Sequence, residues 1–157
     1  VVIVHRALLE QAVAPTPSIM SYAKYATTRS LYNTPNIFSW YVLYLMLQWI
    51  QQQGGIAPLA MRQSQKAAMV YRCLDQYSDF YIHNVPFAYR SRVNMSFRLA
   101  RAELEPIFLK EAQLAGLWHL RGHVALGGLR ASVYLGMPEE GVQALVAFME
   151  AFAQRYA

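Results

Sequence analysis

An arginine stands in the middle of an otherwise apolar, glycine-rich segment, GHVALGGLRASVYLGMP, which runs from Gly122 to Pro138. If the segment is a strand, Arg130 shares a face with Gly128 and Ser132, whose small side chains leave space around its guanidinium. A guanidinium matches a carboxylate through two parallel hydrogen bonds. Arg130 is therefore a candidate carboxylate-binding residue, although an arginine that faces solvent or sits in an internal ion pair is the more frequent arrangement.

His123 enters the same segment, directly after Gly122. A lone histidine near the start of a strand is more often a packed or surface residue than a ligand. Its closeness to Arg130 is the one feature of the sequence that favours a binding role. His123 is for this reason a second candidate.

Asn33 and Thr34 form a third candidate group, in the sequence YNTPNIF. Either side chain can cap a helix in which Pro35 takes the first position, so the sequence predicts a helix start here. The free N–H groups of a helix start, together with an adjacent hydroxyl and amide, also bind anions. The pair is therefore either a structural cap, which is the more frequent case, or an anion site.

Several other kinds of site receive no support. Cys73 is the single cysteine, so the chain has no intrachain disulfide framework and no Cys and His spacing typical of zinc. We expect no metal. No glycine-rich phosphate loop of the GxGxxG or GxxxxGK[ST] type occurs. The default compartment for such a chain is the reducing cytoplasm.

The composition indicates a chain whose surface is partly covered. Its 157 residues suit one domain with a fragment of another, and 55% hydrophobic with 15% charged residues is more apolar than a typical soluble domain. The most apolar run, Ile37 to Ile50, is shorter than the roughly 20 residues that a membrane-spanning helix needs. It is predicted to be a buried or interface helix, and we expect no membrane association.

A net charge of +5 suits nucleic acid, an anionic membrane or a small anionic ligand, and does not choose among them. The arginines of YRSRVNMSFRL could belong to a sheet that stacks nucleic-acid bases on aromatic rings. Strand parity, however, places Phe97 on the face opposite Arg90, Arg92 and Arg98. A basic module that binds nucleic acid or an acidic partner is therefore the weaker interpretation.

The patterning along the chain predicts an α+β unit: a small mixed or antiparallel sheet with helices on one face. Residues 1–4 are β-formers and predict an entering strand of a larger sheet whose other strands are absent from this sequence, and APTPS, residues 14–18, predicts a linker. Arg62, Lys66 and Arg72 are expected to face solvent on the second helix. The predicted elements that follow the linker are a helix to about Gln53, a helix over 58–76, a strand within 89–99, a helix over 102–115, a strand within 122–134 and a helix over 138–154.

Taken together, the segments YNTPNIFSWY, SDFY, RSRVNMSFRL, AGLWHLRGH and GGLRASVYLGMP closely resemble the phosphoserine aminotransferases, PLP-dependent enzymes of fold type I. The resemblance runs in order along the whole chain. It implies transamination between 3-phosphohydroxypyruvate and glutamate in serine biosynthesis, and a role in pyridoxine biosynthesis in some bacteria. It also implies a cytoplasmic homodimer with active sites at the subunit interface.

The resemblance also implies roles for the candidate residues. Asn33 and Thr34 look like the pair that reaches the PLP phosphate of the neighbouring subunit. Arg130 looks like the arginine that binds the substrate α-carboxylate, and His123 looks like part of the pocket for the substrate's distal acidic group.

Two departures from the family pattern stand out. Val124 replaces an arginine that usually follows the histidine, and a hydrocarbon side chain cannot donate hydrogen bonds to an anion. Arg121 is a nearby substitute. The second departure is that no lysine here stands in the motif of the PLP-bonding lysine, which lies upstream in the family. The resemblance thus implies that residues 1–32 end the large cofactor-binding domain, that 33–157 form the C-terminal small domain with its interface helix, and that the chain alone supplies no catalytic residue.

Overall fold

The computed structural model describes residues 1–11 and 15–157 of the chain. The described residues contain helices α1 Tyr22–Thr27, α2 Ile37–Gln52, α3 Ile56–Gln76, α4 Glu105–Leu114 and α5 Glu139–Tyr156, and strands β1 Tyr81–Ile82, β2 Asn94–Leu99 and β3 Leu129–Ser132. They divide into two compact units, Val1–Trp49 and Ile50–Ala157. Ala14 of the predicted linker lies outside the described residues, and Ser18 begins a short 3-10 turn.

The second unit is built on an antiparallel sheet of order β1-β2-β3. Tyr81 pairs with Leu99, and Ser96 pairs with Arg130, which fixes the register of the three strands. The predicted alternation within 89–99 is confirmed for β2, although β2 begins only at Asn94. The chain turns just before it, because Ser91 Oγ accepts hydrogen bonds from the backbone N–H groups of residues 93 and 94.

Helices α3, α4 and α5 cover one face of this sheet, so the predicted α+β architecture is confirmed. The buried side chains of β2 and β3 meet those of the helices in one core. Phe108 of α4 lies at its centre, fully buried, with ring centroids of Phe148 and Phe152 5.0 Å away and those of Phe97 and Tyr81 6.2 and 6.4 Å away. Apolar residues of α5 at helical spacing, among them Leu145 and Met149, are part of the same core.

The start of α2 differs from the prediction. The helix begins at Ile37 and is capped by Asn36, whose Oδ1 accepts the backbone N–H of Ser39 at 3.1 Å. Asn36 lies next to the apolar run and satisfies a free N–H group itself, so neither Asn33 nor Thr34 is a cap. The end is as predicted, with positive φ at the two glycines of residues 54 and 55.

The apolar side chains of α2 from Ile37 to Leu47 are exposed on every side of the helix, from Leu43 at 41% to Phe38 at 76%. A surface helix normally exposes a polar face and buries an apolar stripe. The exposure agrees with the expectation that more than one face of α2 is covered by another chain or segment. Within the described ranges, no helix combines the length and apolarity needed to cross a bilayer.

Residues 1–4 form no strand in this chain and are mostly exposed, and no described strand pairs with them. The partners expected for that strand are not in this sequence, so it stays a prediction. One prediction about a single residue is wrong. Lys66 is buried instead of facing solvent. Its ammonium reaches backbone carbonyls 68 to 71 residues away along the chain, which the local helical pattern does not reveal.

An ion pair on the surface of the second unit joins α3 to the segment before β2. Both Nη atoms of Arg90 donate to the carboxylate of Asp75, at 2.7 and 2.6 Å, and the guanidinium stacks 4.7 Å from the ring of Tyr71. His83 Nε2 lies 2.9 Å from Asp75 Oδ1. The hydrogen bonds from Arg90 are the main reason that the pKa of Asp75 is lowered, and burial opposes them.

This geometry predicts an acid-dependent loss of stability. Because the pKa of Asp75 is lower in the folded state, the pair stabilises the fold above the ordinary carboxyl pKa near 4. That contribution disappears as the pH falls through the folded-state value. In urea unfolding between pH 7 and pH 2.5, Asp75→Asn should therefore differ from wild type most at neutral pH and least in acid. The control is Asp79→Asn, an exposed aspartate with no ion pair among the described residues. An equal pH dependence of wild type and Asp75→Asn contradicts the assignment.

Candidate carboxylate-binding site

The segment before Arg130 is a hairpin, so of the strand predicted within 122–134 only Leu129–Ser132 is present. Arg121 forms an antiparallel bridge with Leu129, and the backbone N–H of Arg130 donates to the Leu120 carbonyl at 2.8 Å. His123 begins the reversal, because its carbonyl accepts the N–H groups of residues 126 and 127. Positive φ at the glycines of positions 127 and 128 makes the reversal possible. In the sequence these glycines stand among apolar residues, so the pattern indicates a strand there.

Arg130 lies on the open face of the sheet, opposite the helices. Leu129, Ala131 and residue 133 are buried on the other face, as predicted, while Arg130 is half-buried beside its cross-strand partner Ser96. The other open-face side chains of β2 and β3 are also polar, and Ser132 Oγ donates to Asn94 Oδ1 at 2.9 Å. The expected small polar surroundings of Arg130 are therefore present.

The guanidinium of Arg130 has no carboxylate partner in the described part of the chain. The ion pairs found there are those of Asp75 with His83 and Arg90, and of Arg155 with Glu111. The Nε of Arg130 is buried and makes no hydrogen bond. An unsatisfied buried donor is unfavourable, so this nitrogen is suited to an acceptor from outside the described residues. The alternative of an internal ion pair does not apply within these residues.

His123 is exposed at the start of the hairpin turn. Its Nδ1 accepts the backbone N–H of Ala125 at 3.2 Å, so in the neutral ring the proton resides on Nε2, which can donate to an anion. Val124, next in the turn, is 99% exposed and offers no hydrogen bond from its side chain. Arg121 is exposed as well and has no ion pair among the described residues.

Arg98 supports this turn and was missed as a contributor by sequence reasoning. It lies on the open face of β2, as its parity predicted, and its Nη2 donates to the Leu126 carbonyl. Gly128 packs directly against it: a Cβ there would lie 2.8 Å from Arg98 Cγ and 2.8 Å from the Phe97 carbonyl oxygen. Arg98 thus joins β2 to the turn that carries His123. The one signal in the sequence was the parity that places Arg98 on the face of its strand opposite Phe97.

The close backbone approach at Gly122 predicts that the hairpin tolerates no side chain there. A Cβ on Gly122 would lie 2.0 Å from the Gly127 carbonyl oxygen, so Gly122→Ala must push the two arms of the hairpin apart. We expect a loss of about 1–3 kcal/mol in the free energy of unfolding, measured in urea. Gly136→Ala is the matched control, since no atom lies within 4 Å of its added Cβ. Equal midpoints for the two variants would show that the hairpin relaxes freely.

Asn33 and Thr34 belong to the first unit, and both are exposed in the loop that precedes α2. Asn33 Nδ2 donates to Tyr25 Oη at 3.2 Å. The Thr34 hydroxyl makes no hydrogen bond within residues 1–11 and 15–157. One amide and one free hydroxyl are suitable donors for a phosphate group, although the pair is not at the helix start where the sequence placed it.

Known proteins were compared with the chain as a whole. A phosphoserine aminotransferase of Xylella fastidiosa is 49% identical over 156 residues, which are 99% of this chain and 43% of the relative. One from Coxiella burnetii is 48% identical over 157 residues, with the same coverage. The chain therefore spans less than half the length of the curated relatives it matches.

Solved structures agree with these sequence relatives. Phosphoserine aminotransferase from Bacillus circulans subsp. alkalophilus matches 96% of this chain and 42% of its own, with a TM-score of 0.90 and 38% identity. The PLP-bound enzyme from Trichomonas vaginalis matches 92% of this chain and 41% of its own, with a TM-score of 0.83 and 32% identity. The expected fold type I architecture is thereby confirmed. The model of the aminotransferase class-V family matches residues 1–145, and the chain belongs to that family.

Proposed function

We propose that this chain is the C-terminal part of a phosphoserine aminotransferase, which transfers the amino group of glutamate to 3-phosphohydroxypyruvate in serine biosynthesis. The names of the sequence relatives and of the structural neighbours support this. The activity is that of the intact enzyme, which we place in the cytoplasm as a homodimer. We propose that residues 1–32 end its large domain and that residues 33–157 form its small domain.

The observation that carries the proposal is the unpaired guanidinium of Arg130. Its buried Nε lacks an acceptor, and no described carboxylate forms an ion pair with it. In this role Arg130 binds the α-carboxylate of the amino-acid substrate through charge-assisted hydrogen bonds and so orients the α-carbon. The small side chain of Ser96 beside it leaves room for that carboxylate.

His123 completes the recognition of the substrate in this proposal. Its Nε2–H donates to the distal acidic group, since Nδ1 is occupied by the N–H of Ala125. Val124 adds no donor, so Arg121 is the cation of the same hairpin that remains for the distal group. We therefore expect weaker recognition of this group than in relatives with an arginine after the histidine.

The cofactor of the intact enzyme would be PLP, with which the Trichomonas vaginalis structure was solved. The donors of Asn33 and Thr34 fit its phosphate, and we propose that they serve the PLP of the partner subunit. The exposed apolar sides of α2 support a role of this helix in the dimer interface. Bound PLP supplies an electron sink for the charge that develops at the substrate α-carbon.

The covalent bond to PLP is proposed to come from a lysine elsewhere in the polypeptide. Lys24 and Lys110 are exposed, and Lys66 is buried with its ammonium hydrogen-bonded to backbone carbonyls. Within the second unit, Lys110 lies on α4, on the helical side of the sheet, and Lys66 is not a free amine. What this chain supplies is therefore binding and orientation of the substrate.

The test is an assay of the intact enzyme with glutamate and 3-phosphohydroxypyruvate, which should yield phosphoserine and 2-oxoglutarate. The alternative, a basic module that binds nucleic acid, predicts tight, salt-sensitive binding of duplex or single strands. The structure disfavours it, because Arg90 and Arg98 are engaged by protein groups and Phe97 is buried. If the intact enzyme does not catalyse transamination and binds nucleic acid in this salt-sensitive way, the alternative replaces the proposal.

A further inference from the structure

Two polar side chains, one turn apart on α3, are buried in the second unit and take no part in the site. Gln63 is 9% exposed and Lys66 is 5% exposed, and they are the buried polar or charged residues of the described chain. A buried ammonium is costly unless its donors are all satisfied. Burial and the nearby Arg62 lower the pKa of Lys66, while Glu139 opposes this shift. The burial of these two side chains therefore requires a structural explanation.

Both side chains bind backbone carbonyl oxygens and no side chains. Gln63 Nε2 donates to the carbonyls of Arg92 and Val133, each at 2.6 Å. Lys66 Nζ lies 3.0, 3.3 and 2.8 Å from the carbonyl oxygens of residues 134, 135 and 137. No carboxylate forms an ion pair with Lys66 in the described ranges. The two residues therefore fix the path of the main chain from 133 to 137.

This path begins one residue beyond β3, which is only four residues long. Both backbone polar groups of Val133 are hydrogen-bonded: its N–H donates to the Val93 carbonyl at 2.7 Å, and its carbonyl accepts from Gln63 Nε2. Arg130 has no side-chain partner to orient its guanidinium, so its direction depends on the backbone of β3. Hydrogen bonds that hold the backbone at the end of β3 therefore also fix the position of Arg130.

We propose that Gln63 and Lys66 are positioning residues for Arg130: by holding the carbonyls of residues 133–137 they fix β3 and hence the site that receives the substrate carboxylate. This inference rests on the proposed function. The two residues contact no substrate. Their effect is on orientation, and small errors in orientation have large effects on the binding of a fixed carboxylate.

The decisive variant is Lys66→Met in the intact enzyme, which removes the ammonium and keeps a long side chain. We expect the KM for glutamate to rise about tenfold while kcat changes less, at a temperature where the variant is fully folded. Lys66→Gln, which restores two N–H donors, should recover part of the loss. Arg72→Met is the matched control, because it removes one positive charge from the exposed side of α3.

Amide hydrogen exchange gives a second measurement that does not depend on activity. Lys66→Met should speed exchange at the amides of Val133 and Met137, which donate to Val93 and Tyr134, relative to Arg72→Met. Gln63→Met removes the other two contacts at similar volume, and it decides the question by the same measurements if Lys66→Met does not fold.

The outcomes separate the two proposals. If Arg130→Ala raises the KM for glutamate but Lys66→Met and Gln63→Met behave like Arg72→Met, the positioning role is overturned and the function stands. If wild type does not use glutamate, the proposed function fails. Faster exchange at residues 133 and 137 would then still show that the two side chains hold this backbone, and unchanged exchange would overturn that as well.

Discussion

Replacing Arg130 with alanine in the intact enzyme should lower kcat/KM for glutamate about ten- to thousandfold. The variant would remove the proposed charge-assisted pair between the guanidinium and the substrate carboxylate. Ser96 and Ser132 beside it offer hydroxyls without charge. Most of the change should appear as a higher KM, measured at saturating 3-phosphohydroxypyruvate.

Two further variants sharpen this test. Arg130→Lys should recover only part of the loss, since an ammonium carries the charge but cannot present two parallel donors. Arg92→Ala removes an exposed arginine that donates to Ser64 Oγ at 3.3 Å, and it should leave kcat/KM near the wild-type value. Normal use of glutamate by Arg130→Ala would refute the assignment of the carboxylate site.

Replacing Phe108 with alanine should destabilise the second unit by about 3–5 kcal/mol. The side chain is fully buried and makes edge-to-face contacts with several aromatic rings, including those of Phe148 and Phe152 at 5.0 Å. Alanine leaves a cavity that the packed helices α3 and α5 cannot close. The measurement is the urea midpoint of unfolding at constant m-value, followed by circular dichroism.

Leu114→Ala is the control for this prediction. Leu114 ends the same helix, α4, and is 81% exposed, so its truncation should change the free energy of unfolding by about 0.5 kcal/mol or less. A midpoint shift for Phe108→Ala no larger than that of Leu114→Ala would show that the aromatic cluster is not the centre of the core.

Local sequence patterns predicted the regular elements that bury one face. The alternation of Met95, Phe97 and Leu99 predicted β2, and the helical spacing of the apolar residues predicted α3 and α5. In each case one face of the element is buried and the other is exposed to solvent. Apolar residues therefore recur along the sequence with the period of that element. Neither period depends on knowing which element packs opposite.

The failures come from contacts between distant residues and from backbone conformation. The carbonyls that hold Lys66 are 68 to 71 residues away, so its helical position alone indicated solvent. The turn after His123 depends on positive φ at two glycines, which read equally well as part of a strand. Residues 1–4 have strand propensity, but the partners expected for that strand are not in this sequence, so it stays a prediction.

The candidate site was predictable in part. Parity placed Arg98 opposite Phe97 on one strand and Arg130 with Ser132 on another, and the structure puts both arginines on the open face of the sheet. That Arg130 lacks an ion pair depends on where every described carboxylate lies in space, which only the fold reveals. The roles of Asn33, Thr34, His123 and Arg130 toward cofactor and substrate remain predictions from the family resemblance, and the variants above test that of Arg130.

If a second copy covers the exposed sides of α2, as proposed above, the stability of this chain depends on protein concentration. Side chains such as Trp40 and Leu47 are about half exposed, and water is a poor solvent for such a helix. Whatever association removes them from water stabilises the folded state by mass action. Melting temperatures of dilute and concentrated samples are therefore not interchangeable, and comparisons between variants require a fixed concentration.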